Sequence, residues 1–447
     1  MIAFRRSFVL LFCCLAISVA FGQPKDNSPY SNLGLGNYMS QDFAALGGMG
    51  SLSAAYHDPT RMNFQNPASF GYLGAASFDV GGFAKYTALS GDGQTENVMS
   101  GNIGYFAIGF ALRNPLNEVF EGKRSKFRWG MGFGLMPYTQ RGYEVQTETP
   151  VMGFDTVRTN IQGRGDLNQV LWSNGFKYGN FSGGFTLGYM FGKLTRDRRD
   201  FFPDLGTSFF NDLLQETSYE GVVYRGGIQY EYTFGGPVTD KDKRARTRLT
   251  IGASGSLNNT ISSNSRFLDV RLSSISGALD TVNISSSDVE NDVQLPAEYD
   301  FGFVLAKDNT WKVGANFKGA SWGSGYINPN DDPSEEFANS YTASVGGEYI
   351  PDYRSYNSYW QRVVYRAGAF YGKDPRVVGG TQLSRYGVNV GFGLPLRNEK
   401  TSLGSYLDVA LEAGYLGIDG GIEENYVKLT LGFNFSNTLW FYKRRYE

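Results

Sequence analysis

The chain has 447 residues, with 41 basic and 43 acidic side chains that leave a formal net charge of −2. Because these charges are interspersed along the chain, no basic surface is expected to attract nucleic acid, and nucleic-acid binding is excluded. Glycine is abundant, at 58 residues, and aromatic residues make up 15%, yet the mean hydropathy of −0.31 is too polar for a bundle of membrane helices.

The first 22 residues are typical of a secretory signal peptide. A basic start that ends at Arg6 is followed by the apolar run 7–21 and then by the small residue Gly22, as at a signal-peptide cleavage site. The run is about 15 residues long, shorter than the roughly 20 that a membrane helix needs. Both cysteines, Cys13 and Cys14, lie within it, so we expect the mature chain to have no disulfide, no thiolate metal site and no cysteine nucleophile.

Residues 23–73 differ in composition from the rest of the chain. Small residues dominate, as in 44–50, and polarity does not alternate. Such a segment suits a plug inside a wide lumen, and a tether outside the lumen is the alternative. The single histidine, His57, lies here beside Asp58. One imidazole is too few for a metal site and lacks the partners of a hydrolase, so we predict a structural role and no catalytic residue, metal or cofactor.

From about residue 75 to residue 435, polarity alternates along segments of roughly ten to fourteen residues. Along one segment, for example, Val313 and Phe317 alternate with Lys312 and Lys318. Alternation with many aromatic and glycine residues is the pattern of a transmembrane β-barrel. Strands are predicted near 75–88, 101–113, 126–137, 167–178, 181–192, 221–234, 246–260, 296–306, 310–321, 338–350, 360–372, 383–395, 403–415 and 425–436. The predicted fold is therefore all-β, a transmembrane antiparallel barrel of about 14 strands over 74–437, with 23–73 as an N-terminal hatch in its lumen.

Connection lengths between the predicted strands alternate between short and long. Links after the fourth and eighth strands are tight, at 179–180 and 307–309, whereas polar stretches such as 258–293 are predicted to be loops. Outer-membrane barrels have short periplasmic turns and long outer loops. This pattern predicts an integral protein of a Gram-negative outer membrane, surrounded by its lipids, with both termini and the aromatic and basic tail 438–447 in the periplasm.

Short motifs in the predicted plug resemble the N-terminal hatch of the FadL long-chain fatty acid transporter family. They are Gly48-Met49-Gly50, Asp58 and, most specifically, Asn66-Pro67-Ala68. The resemblance spans the mature chain in architecture but only 47–70 in motif. It implies a plugged barrel of fourteen strands from which ligand leaves sideways through a break at the third strand.

The third predicted strand has the features that such a lateral gate would need. Gly132 and Gly134 are part of a run with glycine at every second position, and Pro137 follows. Because proline cannot donate a ladder hydrogen bond, the strand is expected to bend there. We therefore place the gate at Gly132, Gly134 and Pro137, and a strand end at the membrane edge is the alternative.

Charged residues that alternation turns towards the lumen are the candidate ligand contacts. Most are expected to pair with carboxylates and so link wall to plug. Alternatively, one unpaired cation receives a ligand carboxylate while the apolar tail lies on aromatic rings. The candidates are Arg225, Arg362, Arg366, Arg385 and Lys312, with Phe106 and Phe110 for the tail.

The leading hypothesis is an outer-membrane channel that passes hydrophobic small molecules, such as long-chain fatty acids, from outside by way of the hatch to the lateral gate. The alternative is a plugged barrel that serves as a structural or partner-binding subunit of a secretion or assembly machine, with protein partners on its outer loops or tail. A barrel lipase would need a catalytic His57, and we predict that the protein is not an enzyme. An apolar pocket beside the hatch would favour the channel, whereas a lumen of salt-bridged polar residues would favour the subunit.

Overall fold

The computed structural model describes residues 27–91, 93–112, 125–151, 154–201, 209–235, 246–273, 279–307, 309–396 and 405–437. The predicted signal peptide and the tail 438–447 lie outside these residues. Among the described residues, no helix is both long and apolar enough to cross a bilayer.

Fourteen antiparallel strands form a closed barrel, which confirms the predicted fold class and strand count. The barrel closes because β14 pairs with β1 along their whole lengths, from Glu423 opposite Ser90 to Asn437 opposite Ala76. The strands are β1 Ala76–Gly91, β2 Gln94–Ala111, β3 Phe127–Val151, β4 Phe154–Tyr178, β5 Phe181–Phe201, β6 Phe209–Thr233, β7 Thr247–Ser256, β8 Glu298–Lys307, β9 Trp311–Ala320, β10 Ser340–Tyr349, β11 Val364–Val378, β12 Thr381–Leu396, β13 Ser405–Gly417 and β14 Glu423–Asn437.

The remaining elements are short, apart from one hairpin. Its arms, Asn259–Ser273 and Leu279–Leu295, lie between β7 and β8 in the chain. The prediction that 258–293 forms an irregular loop is therefore wrong, because this stretch forms two paired strands. The others are the two-residue strands Asn37–Tyr38 and Glu336–Phe337, the helical turns Ala44–Gly47 and Trp322–Gly325, and the 3-10 turns Pro29–Asn32, Pro67–Tyr72 and Trp360–Arg362.

The two ends of the barrel differ in height. At one end, here called the long-strand end, β3 to β6 run to 21–25 residues, about twice what is needed to cross a bilayer. The hairpin 259–295 extends the same sheet, because its first arm pairs with β6 from Phe209 to Glu220. At the opposite, short-turn end, β4 and β5 are joined by Gly179 and Asn180 alone. Gly179 has a φ of +61°, a conformation that glycine adopts without strain.

Residues 27–73 pass through the barrel from end to end. Asn27 donates to the carbonyl of Met99 near the β1–β2 turn at the long-strand end, and the turn Pro67–Tyr72 packs on β4 and β5 near the short-turn end. The last described residue, Asn437, lies at the short-turn end beside Ala76. Asn27 and Asn437, the first and last described residues, therefore lie at opposite ends of the barrel, and the predicted periplasmic position of both termini concerns residues outside the described ones.

Candidate functional site

The Asn-Pro-Ala motif joins the lumen segment to the barrel wall. The side-chain oxygen of Asn66 accepts from the backbone N–H of Ala68 and so begins the turn Pro67–Tyr72. Its amide nitrogen donates to the carbonyl of Ala54 at 2.6 Å and to that of Ile228 on β6 at 3.3 Å. This side chain therefore satisfies backbone groups of the segment and of the wall together.

Glycines on the lumen face of the wall allow the segment to touch the strands directly. A Cβ added at Gly252 would lie 2.0 Å from the carbonyl oxygen of Ala54, and one at Gly346 would lie 2.2 Å from that of Met49. Both distances are far below van der Waals contact. The backbone of the segment therefore lies on the wall at a distance that only glycine permits.

A chain of six alternating charges links the lumen segment to the wall. Arg61 contacts Asp408 at 3.0 Å, Asp408 contacts Arg366 at 2.8 Å, and Arg366 contacts Glu348 at 3.2 Å. Lys312 then contacts Glu348 at 2.8 Å and Asp58 at 3.4 Å, so the chain returns to the segment. Three cations balance three carboxylates. Because an unpaired charge is costly when buried, the plug position and the wall position depend on each other.

A second cluster surrounds Glu231 on β6. The carboxylate is 3.1 Å from the ammonium of Lys177, 3.2 Å from the ring of His57 and 3.4 Å from the guanidinium of Arg248. The His57 ring also stacks on Tyr72 at 3.7 Å, with an interplanar angle of 13°. These contacts hold the imidazole between plug and wall, which gives His57 a packing role.

The predicted ligand cations are largely engaged with partners. Arg366 and Lys312 belong to the six-charge chain, and Arg225 pairs with Glu298 and donates to the carbonyl of Gln65. Arg385 lies over the ring of Phe370, 5.1 Å from its centroid. The structure brings these four to the lumen.

Three predicted ligand residues do not lie on the lumen face. Arg362 ends the 3-10 turn before β11 at the short-turn end and stacks on Tyr359, so strand alternation does not apply to it. Phe106 is 47% exposed on the outer face, because its neighbour Tyr105 turns inward and stacks on Phe43. Phe110 shares the outer face with Phe106, four residues along the same strand. These lumen assignments are wrong, and a one-residue error in register is enough to exchange the faces.

Apolar side chains beside the plug pack against each other. Phe64 and Phe70 meet edge to face at 5.1 Å. The lumen glycines of β3 make room for these rings, since a Cβ at Gly132 would lie 2.4 Å from Phe70 and one at Gly134 would lie 3.0 Å from Phe64. The cluster comprises Phe43, Met62, Phe64, Phe70, Leu73, Tyr105, Ala107, Ala111, Met136 and Leu171.

The lumen cavity adjoins this cluster and has both polar and apolar walls. It has a volume of about 280 Å³ and is lined by polar residues such as Gln41, Arg225 and Lys318 and by apolar ones such as Phe64 and Leu171. Among the described residues, no group of three or more His, Cys, Asp or Glu side chains is arranged to hold a metal ion. The cavity therefore offers charged and amide groups beside apolar side chains.

The ladder between β2 and β3 ends where the lateral gate was predicted. The two strands pair only from Phe106 opposite Leu135 to Ala111 opposite Gly130. Beyond Leu135 the free edge of β3 pairs with the short strand Asn37–Tyr38. Gln41 then donates to the carbonyl of Pro137 at 2.7 Å. The gap between the strands is thus occupied by the chain's own N-terminal segment.

The N-terminal segment also crosses the mouth of the barrel at the long-strand end. Arg376, at 2% exposure, donates to the carbonyl of Tyr30 and pairs with Asp374 at 2.6 Å. Tyr38 packs on Trp322 at 4.7 Å. An apolar core lies beneath this cover, between the segment and the extended strands. It comprises Leu35, Leu167, Met190, Leu194, Tyr219, Ile261, Val293 and Leu295.

Comparison with known proteins identifies the family. A family model described as BamG matches residues 1–447, the whole chain. The chain belongs to the BamG family. No curated protein matches this BamG-family chain.

Solved structures of transport proteins share the fold of this BamG-family protein. A FadL homologue of Pseudomonas aeruginosa is 12% identical over 90% of this chain and 98% of its own, with a TM-score of 0.53. The toluene transporter TodX of Pseudomonas putida is 14% identical over 90% of this chain and 99% of its own, with a TM-score of 0.51. A mutant of TodX, a monoaromatic hydrocarbon channel, is 15% identical over 88% and 98%, with a TM-score of 0.54. The predicted FadL resemblance therefore holds for the fold, whereas the family shown is BamG.

Two important residues, Asp58 and Arg61, were not predicted as wall contacts. They are the only Asp, Glu, Lys or Arg residues in 43–73. Charges in a segment otherwise made of small and apolar residues are the signal that could have found them, because a buried charge requires a partner.

Proposed function

We propose that this protein is an outer-membrane barrel that serves as a membrane-embedded, partner-binding subunit of a larger assembly. The observation that carries the proposal is the six-charge chain from Asp58 to Arg61 through the wall. A mobile hatch would have to break several buried ion pairs at once, and each break leaves a charge without compensation. A plug held in this way closes the barrel and stabilises it as a rigid body.

The lumen supports the same proposal. Its cavity of about 280 Å³ is lined by charged side chains such as Arg225, Glu298 and Lys318 as well as by apolar ones such as Phe64 and Leu171. The alkyl chain of a fatty acid would have to desolvate the charged groups without offering them hydrogen bonds. A channel for alkyl chains is therefore the weaker of the two principal hypotheses.

The long-strand end offers a partner a large, ordered surface. In the orientation we propose, this end faces the outside and the short-turn end faces the periplasm, as in other outer-membrane barrels. The extended strands carry exposed ion pairs, such as Arg158 with Glu148 and Lys193 with Glu216. They are supported from within by their own apolar core. Such a platform suits protein contacts better than a flexible loop would.

The subunit proposal is tested by the mass of the native particle. The tagged protein would be extracted from its own outer membrane in mild detergent and measured by mass photometry. We expect a particle well above the 49.4 kDa of the full chain, at a fixed stoichiometry. A monomer that carries bound fatty acid would contradict the proposal.

A hydrophobic channel with a lateral exit is the second candidate, because the β2–β3 ladder ends at Leu135 and the cavity reaches Pro137 there. In this case Gln41 and the strand Asn37–Tyr38 act as the closed gate. Pro137→Ala would allow a further backbone donor on β3, and it should slow uptake of a hydrophobic probe if the gate operates. Unchanged uptake would exclude the gate.

A further inference from the structure

The two ends of the barrel carry opposite charge. At the short-turn end, 112–126 joins β2 to β3 and 234–246 joins β6 to β7, and each contains four basic and two acidic residues. At the long-strand end, 257–297 contains five acidic and two basic residues, and 321–339 contains four acidic residues and no basic one. Because successive connections lie at alternate ends, the fold separates charges that are interspersed along the sequence. A basic surface therefore forms at one end, although the sequence did not predict it.

Basic side chains line the inside of the barrel at the short-turn end. The ammonium of Lys177 on β4 lies 3.7 Å from the ring centroid of Tyr72 in the plug, so Lys177 turns towards the lumen. Arg128 of β3 is directly opposite Lys177 in the ladder and shares this face, as does Lys126 two residues before it. We define the basic mouth as Lys126, Arg128 and Lys177 together with Arg248 of β7.

The basic mouth has few carboxylates of its own. Glu231 lies within 3.1 to 3.4 Å of Lys177, His57 and Arg248, so one carboxylate serves several cations. Arg128 is exposed and forms no ion pair with any residue that the structure describes. Like charges directly opposite each other in a ladder are destabilising, as Arg128 and Lys177 are here. An anionic group from another molecule is therefore favoured beside these two cations.

Exposed cations at the long-strand end have partners within the chain. Lys193 pairs with Glu216 at 2.6 Å, and Arg199 pairs with Asp212 at 3.1 Å. Both pairs lie across neighbouring strands that extend beyond the membrane. The barrel thus satisfies exposed cations at one end, whereas Arg128 at the other end lacks a carboxylate.

We propose that the basic mouth binds an acidic segment of a partner protein on the periplasmic side. This inference rests on the subunit proposal and on the orientation proposed with it, and it names the face and the chemistry of the partner. Arginine binds carboxylates through charge-assisted hydrogen bonds that fix their geometry. Complementary charge also speeds association and fixes the register of the two surfaces.

The position of the cations favours a protein segment over lipid headgroups. Arg128 and Lys177 face the lumen within the ring of strands, whereas phospholipids surround the outer face. Lys307, which shares its face of β8 with the exposed Phe303, is a cation that headgroups would meet instead. A second copy of this chain is also excluded as the occupant, because copies in one membrane share an orientation and cannot bring an acidic end to a basic mouth.

Photocrosslinking in native membranes tests the basic mouth. The photoreactive residue p-benzoylphenylalanine would replace Lys126, which leaves Arg128 and Lys177 in place. We expect one protein adduct, and sequencing of the crosslinked peptide should show several Asp or Glu residues beside the crosslink. Adding Arg128→Glu should reduce the adduct by about tenfold or more. Lys307→Glu is the matched control, with the same change of charge at the same end but on the outer face, and it should leave the adduct unchanged.

A defined probe applies the same test to the purified protein. A fluorescent polyglutamate peptide would be titrated into the detergent-folded barrel, beside a glycine–serine peptide of equal length. We expect saturable binding of polyglutamate alone, weakened by about tenfold in Arg128→Glu and unchanged in Lys307→Glu. Salt at about 0.5 M should also weaken it, because screening acts on exposed charges. Equal affinities for the two variants would overturn the proposed site.

The remaining outcomes separate this inference from the subunit proposal. Lipid adducts alone at position 126, or a crosslinked protein segment without acidic residues, would overturn the acidic partner. If the native particle is still large in that case, the subunit proposal stands. A native particle of monomer mass would overturn the subunit proposal and, with it, the partner at the basic mouth. The heat-induced shift in electrophoretic mobility shows for each variant that the barrel has folded.

Discussion

Arg61 of the plug and Asp408 of β13 form a buried ion pair in which one guanidinium nitrogen donates to both carboxylate oxygens, at 3.0 and 3.1 Å. The same carboxylate accepts from Arg366, so it holds a plug cation and a wall cation together. Opening the barrel by moving the plug would separate these groups in a site from which water is largely excluded. The closed state is therefore favoured by electrostatics as well as by packing.

Asp408→Asn should release the plug. It leaves Arg61 and Arg366 buried without their shared carboxylate, and we expect a loss of about 3–5 kcal/mol in the free energy of unfolding. Single-channel recordings in a planar bilayer should show openings for the variant and none for the native protein. Glu148→Gln is the control, because its pair with Arg158 is about half exposed and is worth less than about 1 kcal/mol. Equal effects of the two substitutions would contradict the role of the buried pair.

Gly252→Ala should force the plug away from the wall. The new Cβ would meet the carbonyl oxygen of Ala54 at 2.0 Å, and such overpacking costs about 1–3 kcal/mol. Gly226→Ala is the matched control, because an added Cβ there meets nothing within 4 Å. Thermal unfolding in detergent would measure both variants. Similar midpoints for the two would show that the plug does not rest on Gly252.

The first and last described residues should be labelled from opposite sides of the membrane. Asn27 lies at the long-strand end and Asn437 at the short-turn end. Because the only cysteines of the chain lie in the predicted signal peptide, a single introduced cysteine provides a clean probe. On intact cells, a maleimide that cannot cross membranes should label Asn27→Cys but not Asn437→Cys. The reverse result would invert the proposed orientation, and labelling of both would contradict the path of the plug.

The loop 321–339 should pack less firmly as pH rises towards neutrality. Burial raises the pKa of Asp331 to about 7, although the hydrogen bond from Tyr326 opposes the rise. Between the ordinary pKa of about 4 and the folded value, the folded loop holds a proton that the released loop does not. Stability is therefore lost as pH rises through this window and is constant above it. Hydrogen-exchange protection factors of the loop, which correct for the intrinsic rise of exchange with pH, should fall from pH 4 to pH 7, and Asp331→Asn should flatten this dependence.

The barrel could be predicted from sequence because each strand has one face towards lipid and the other towards the lumen, and the two faces need different side chains. Alternation of Val313 and Phe317 with Lys312 and Lys318 indicates a wall with one apolar face, and β9 has that pattern. Where strands leave the membrane this constraint is lost. The extension of β3 beyond Pro137 is polar on both faces, and 259–295 is rich in Ser, Asn and Asp, which favour turns over strands. These segments form strands because the neighbouring strands extend alongside them and supply hydrogen-bond partners. This is a tertiary effect, and the local sequence pattern does not predict it.

Face assignments were less predictable than strands. Aromatic residues on the lumen face of this barrel also pack against the plug, as Tyr105 of β2 stacks on Phe43. Aromatic character therefore does not identify the lipid-facing side of β2. The β1–β2 ladder also shifts register between Gly81 and Gly82. Phe106 and Phe110 were assigned to the wrong face for these reasons. The partner of Arg61 lies 347 positions away, at Asp408, and only the closed fold brings them together.

A fluorescent fatty acid titrated into the purified, detergent-folded protein, with mass spectrometry of the lipids extracted from the same sample, tests the closed lumen most directly. We predict no saturable binding and no retained fatty acid, because charged groups line the cavity and the plug is paired to the wall. Saturable binding that displaces a retained fatty acid would contradict the closed, partner-binding barrel and restore the channel.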